Sequence, residues 1–280
     1  MIRDDRVLGA TRVLGAVIVP FLLVAFSLLY LFPGDTAHWF AWPIKPRMTP
    51  LIMGAGYIAG AYFFLRVVTA THWHRIHLGF LPISAFTIFM AVATFSHLDR
   101  FDKDHVAFWI WVVLYVVTPV LVPLTWLRNR ATDPGTLDAD DPDDRYLPPR
   151  VRAVVGGVGA VQSAVAAVLL LSPSTMIDSW PWTLTPLTAQ VLGGWFALPG
   201  VVAIMMALDG RWSAIRITLE SQVLGIALIL LGVARAWDDF DTSNALTYVF
   251  VGGISLLLVG LLALMVLMER PRTAVPLVPA

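Results

Sequence analysis

The chain is 280 residues long, 58% apolar and 14% charged, with a mean hydropathy of +0.76. A soluble domain is about 45–50% apolar and about 25% charged, so this composition indicates a membrane protein. Zero formal net charge leaves no basic surplus for nucleic acid, and the lack of cysteine excludes disulfides, thiolate metal sites, iron–sulfur clusters and thiol catalysis.

A helix needs about 20 mostly apolar residues to cross a bilayer core. The sequence predicts eight such segments, at 11–32, 49–69, 77–97, 105–126, 151–172, 186–208, 213–235 and 245–268. Runs such as VAAVLLL and ISLLLVGLLALMVLM lack the polar face of a soluble core helix. The first segment follows Arg3, Arg6 and Arg12, as a signal peptide would. It is long enough to span, and no small-residue cleavage site precedes Phe32-Pro33, so a retained first span is expected.

Before span two lies FAWPIKPRMTPL (Phe40 to Leu51). Thr49 is expected to cap that helix, Pro50 to fit its first turn, and Trp42 to sit at the membrane interface. Between spans three and four lies HLDRFDKDH (His97 to His105). After span four, residues 128–150 hold Pro134, Pro142, Pro148, Pro149 and a set of aspartates, read as a solvated linker. Its aspartate spacing does not fit a calcium-binding EF-hand, which needs a glycine and a terminal Glu at set positions. Span six is preceded by DSWPWTLTPL (Asp178 to Leu187), where Thr185-Pro186 and the anchors Trp180 and Trp182 repeat the earlier arrangement. AWDDFDTSN (Ala236 to Asn244) then repeats the Asp-x-Phe-Asp cluster before span eight.

Matched positions lie about 136–140 residues apart: the Trp-Pro and Thr-Pro-Leu motifs, Pro33 and Pro173, Trp73-x-x-Ile76 and Trp212-x-x-Ile215, and the two acidic clusters. The expectation is an all-α polytopic bundle built as a parallel 4+4 duplication: 1–127 as the first repeat, 128–150 as the linker and 151–280 as the second repeat. A unit with an even number of spans begins and ends on one side, so two such copies run parallel. Lys and Arg concentrate on cytoplasmic loops. With the N-terminus inside, every Lys and Arg except Lys45, Arg47, Arg100, Lys103 and Arg235 falls inside, Arg272 included. A multi-pass protein of the cell membrane with both termini cytoplasmic is therefore expected, its acidic clusters outside.

The stretch from Trp180 to Ala189, followed by Gly193, Gly194, Trp195 and Phe196, resembles a pattern in uncharacterised bacterial multi-pass membrane proteins. The likeness covers the second four-span unit well and the first loosely, since the second Trp is missing there. No activity is assigned to that group, so the resemblance implies an architecture and no site residues.

Glu220 is the carboxylate expected well inside a span, and a buried acid without a partner costs at least a few kcal/mol. Arg216 lies four residues earlier on the same face and offsets that cost. Gln222 and Gln162 should lie at similar depth, and together these four residues could form a polar patch for a small molecule or ion. The alternative is a structural Arg216–Glu220 pair with glutamines bonding between helices. Asp102, Asp104, Asp241 and Ser243 read as punctuation before spans four and eight. Asp99, Asp102, Asp238, Asp239 and Asp241 with His97 and His105 could instead bind a divalent cation, although Arg100, Lys103 and Arg235 oppose it. All histidines lie in the first half, with His38, His97 and His105 at the outer rim and His72, His74 and His77 at the inner. Three functions follow: binding or transport of a small molecule or ion, an accessory subunit among other membrane subunits, or a metal-dependent intramembrane enzyme. Imidazoles at the rims are compatible with haem or zinc, and the residues do not identify a cofactor.

Overall fold

The computed structural model describes residues 3–270, so Arg272 lies outside the described residues. Eight helices are long and apolar enough to cross a bilayer: α1 Gly9–Phe26, α2 Met48–Thr69, α3 Phe80–Ser96, α4 Val106–Asn129, α5 Pro149–Leu171, α6 Pro186–Asp209, α7 Trp212–Arg235 and α8 Ala245–Met268. A π-helical turn, Ser27–Leu31, prolongs α1, and a 3-10 turn, His77–Gly79, leads into α3. Among the described residues there is no β-strand, only three isolated bridges. The all-α polytopic bundle expected from the apolar runs is the observed fold.

The packing follows a simple scheme. Within the sequence halves α1 lies on α2, α3 on α4, α5 on α6 and α7 on α8; between them α2 packs on α7 and α3 on α6. The four inner helices therefore carry most of the core, and α8 buries only Thr247, Leu261, Leu264 and Met268. The α5–α6 contact is close because it is made of small residues. A Cβ on Gly159 would stand 2.7 Å from the Gly200 carbonyl and 2.9 Å from the Ile204 nitrogen.

The loops repeat their contacts in the two halves. On the face away from the termini, Asp102 N donates to Ala41 O at 2.9 Å and Asp241 N to Pro181 O at 2.8 Å. Trp42 stacks edge-on against Phe101 with ring centres 4.8 Å apart, as Trp182 does against Phe240 at 5.3 Å. On the terminal face, Trp73 N donates to Asp5 O at 2.7 Å and Trp212 N to Arg145 O at 2.9 Å. Arg12 and Arg152 reach the carbonyls of Ala70 and Leu208.

Several local expectations change. Trp42, Trp180 and Trp182 are not interface anchors, because the loops fold inward and bury them to 2%, 8% and 2% exposure. The aromatics exposed at that rim include Trp39, Trp109, Trp237 and Tyr248. Thr185 caps α6 as expected, in a reciprocal capping box with Thr188. Thr49 does not cap α2. That helix starts at Met48, whose N–H is taken by Asp239 of the other half at 2.9 Å, and the Thr49 hydroxyl accepts Trp182 Nε1 at 3.0 Å. The caps of α4 and α8 are His105 and Asn244, one residue past Asp104 and Ser243; Asp102 and Asp241 close the preceding turns. The segment after α4 is folded onto the bundle, with Asp138 and Asp144 buried.

Candidate functional site

Glu220 lies on α7, one turn beyond Arg216, and the expected pair forms: Arg216 Nε stands 3.2 Å from Glu220 Oε1. Two partners come from α2. Tyr62 donates its hydroxyl to Glu220 Oε2, and Arg66 Nη1 donates to the same oxygen at 3.1 Å and to the Tyr62 oxygen at 2.8 Å. Arg216 also meets Glu269 at 3.1 Å, beyond the end of α8. Two guanidiniums thus face two carboxylates, and the group ties α2, α7 and the α8 terminus together with its charge balanced. The predicted patch divides. Gln222, two residues on, turns about 200° away around the helix. The side chain of Gln162 on α5 makes no hydrogen bond among the described residues. Sequence reading missed Tyr62 and Arg66; an Arg four residues after a Tyr at the end of an apolar run was the available signal.

The acidic loops are not gathered into a metal centre. Among the described residues no three His, Asp or Glu side chains are placed to share an ion. Asp99 pairs with Arg100 at the surface, Asp238 is exposed, and Asp239 is taken by Met48 N and Arg47. Asp102 and Asp241 each accept an N–H two residues ahead, and His105 Nδ1 accepts Ala107 N. His97 leaves a buried Nε2 without a partner. The two Asp-x-Phe-Asp stretches are alike because they build the same turn.

The terminal face holds a denser ionic lattice. Arg211, 5% exposed, makes paired bonds to Asp133 (2.8 and 3.0 Å) and to Asp209 (2.8 and 2.7 Å). His77 bridges the His74 carbonyl and Asp209, and buried His74 lies between Asp5 and Asp138. Asp144 takes the backbone N–H and the hydroxyl of Ser213. Burial by itself would raise the Asp133 carboxyl, but Arg211 and the Gly135 N–H outweigh it and hold it below the usual range. At Asp138 burial is likewise outweighed by the Asp140 N–H, Arg75 and His74. A depressed carboxyl stabilises the fold above its ordinary value, and that contribution is lost as pH falls through the lowered one. The thermal midpoint in micelles should therefore stay level from neutral pH to about 5 and fall below about 4. Asp138→Asn should shallow that acid limb; an unchanged limb would show that Asp138 does not shape it.

Among the cavities between the spans, two adjoin each other. The smaller, about 120 Å³, sits where α2, α3, α6 and α7 meet, walled by Gly56, Trp195, Thr218, Ser221 and Gln222. Gln222 Nε2 is buried there without a partner. The larger, about 550 Å³, lies between α1, α2, α3 and α4 and is closed by Trp195 from α6. Gly56, Gly60, Ile83, Trp195 and Leu198 wall both. Glycine at 56 is required, since a Cβ there would overlap the Trp195 ring. Tyr57 and Tyr115, bonded hydroxyl to hydroxyl at 2.8 Å, are the buried polar pair of the larger cavity.

Comparison with known proteins finds no matching family, curated protein or solved structure.

Proposed function

We propose that this is a multi-pass protein of the cell membrane that binds a small molecule taken from the bilayer. The observation that carries the reading is the cavity of about 550 Å³ between α1 and α4. Its size falls in the range of ligand sites, about 300–1,000 Å³, and its wall is apolar with a few polar groups, as such sites are. The Glu220 group is a weaker candidate for carrying an ion, because its own arginines already balance it. Gln222 contributes through the smaller cavity next door. The excess of Lys and Arg on the terminal face supports cytoplasmic termini. The matched loop contacts, and the exchange of α2–α7 for α6–α3, support descent from two parallel four-span copies.

Ala25→Trp and Leu114→Trp each place an indole in the cavity. Native mass spectrometry of gently extracted wild type should show a bound small molecule. Occupancy should drop about tenfold or more in both variants, a loss of about 1.4 kcal/mol or more in binding, with unaltered elution on size exclusion. Wild type without any bound molecule, or with a stoichiometric partner chain in its place, would sink the reading and favour an accessory subunit.

A further inference from the structure

We infer that the larger cavity receives an uncharged, carbonyl-bearing lipid of the quinone type. The inference rests on the binding role proposed above and names the chemistry of the ligand. Four observations lead to it.

First, among the described residues no Asp, Glu, Lys or Arg lines the cavity, and its imidazole, His105, caps α4 at the outer end with Nδ1 accepting Ala107 N. A phosphate or carboxylate buried there would meet no cation, and an isolated charge in an apolar medium is strongly disfavoured. The ligand is neutral.

Second, the wall offers donors in search of an acceptor. Tyr57 and Tyr115 share one hydrogen bond, so one of the two hydroxyl protons has no acceptor among the described residues. Trp195 Nε1 is also buried and unpaired. The ligand therefore carries an acceptor, which a carbonyl oxygen supplies.

Third, the donors lie deep. Tyr115 is nine residues beyond Val106 on α4 and Tyr57 nine beyond Met48 on α2, about 14 Å from the helix starts. A hydrocarbon core is about 30 Å thick, so the phenols stand near its middle. The ester carbonyls of a phospholipid stay near the headgroups, whereas a quinone ring enters the hydrocarbon.

Fourth, the cavity opens sideways. Phe21 and Val24 of α1 and Val106 and Ile110 of α4 both line it and are exposed. Residues that face the cavity and the exterior together mark a mouth between α1 and α4, on the side where lipid lies. A neutral lipid can enter there without crossing the headgroups.

The test uses full-length protein in nanodiscs of phosphatidylcholine, titrated with a short-tailed isoprenoid benzoquinone and, separately, with diacylglycerol. Trp195 and Trp111 line the cavity, so quinone binding is read as saturable quenching of tryptophan fluorescence. Diacylglycerol binding is read by mass spectrometry of the washed discs. The double variant Tyr57→Phe/Tyr115→Phe should bind quinone about fivefold or more weakly, the effect of one net hydrogen bond. Each single variant should bind within about twofold of wild type, because the remaining hydroxyl still has a proton to give. A merely structural pair would instead show its effect on stability in the single variants and none on binding.

Saturable quinone binding with this pattern supports the inference. Diacylglycerol binding with the same dependence on the two phenols would keep the carbonyl chemistry and move its source to an acyl ester. Co-purification of an anionic lipid, or quinone binding indifferent to the double variant, would overturn the ligand class and leave the binding role standing. No bound molecule and no response to either probe would overturn both.

Discussion

Arg211→Ala should destabilise the protein by about 3–5 kcal/mol, the usual consequence of removing one member of a buried ion pair. The residue stands between α6 and α7 at 5% exposure, and its guanidinium is the shared partner of Asp133 and Asp209. Removing it leaves two carboxylates in a partly buried pocket, with only His77 and the backbone N–H at position 211 still bonded to Asp209. The backbone would suffer as well, because Asp133 belongs to the segment that folds back under the bundle. Chemical unfolding in micelles measures the loss. Arg211→Lys should restore part of it, since an ammonium supplies the charge but not two forked pairs of bonds. Stability within about 0.5 kcal/mol of wild type would mean that water already satisfies the two acids.

Trp182→Ala should cost a similar amount, about 3–5 kcal/mol, as large aromatic truncations in packed interiors do. Trp182 is 2% exposed and touches the rings of Trp180, Phe240 and Phe250. Its N–H reaches Thr49 on α2, so one side chain joins the loop of one sequence half to a helix of the other. Trp182→Phe separates the terms: it keeps most of the packing and should lose about 1 kcal/mol for the hydrogen bond. Thermal unfolding of the two variants beside wild type checks the order. Equal losses would place the whole contribution in the hydrogen bond.

The spans were legible in the sequence because twenty apolar residues in a row have few other uses, and their ends were found to within a few residues. The Arg216–Glu220 pair was legible for a local reason, a spacing of four on one helix. Tyr62 and Arg66 were not, because their meeting with Glu220 depends on α2 packing against α7, which no window of sequence contains. The same limit explains Thr49, which looks like a cap and is instead an acceptor for a distant indole. The acidic loops misled in the opposite way: similar composition suggested shared ligands, whereas similar turns hold them apart. The tryptophans of the Trp-Pro motifs were placed at the interface from residue preference, and the inward fold of their loops overrode it. The cavity had no sequence signature at all, since it is a gap between four helices and belongs to none of them.

The crossed packing of α2 on α7 and α3 on α6 bears on how the chain matures. Synthesis delivers α2 and α3 to the membrane long before α6 and α7 exist. Until then the glycine-lined face of α2 is covered by lipid, or by whatever insertion factor attends it. The salt-bridged loop at His74 and Arg75 likewise waits for Asp138, and the start of α2 waits for Asp239. The first four helices thus leave the ribosome as an unfinished half, and the native core closes only when the last spans arrive.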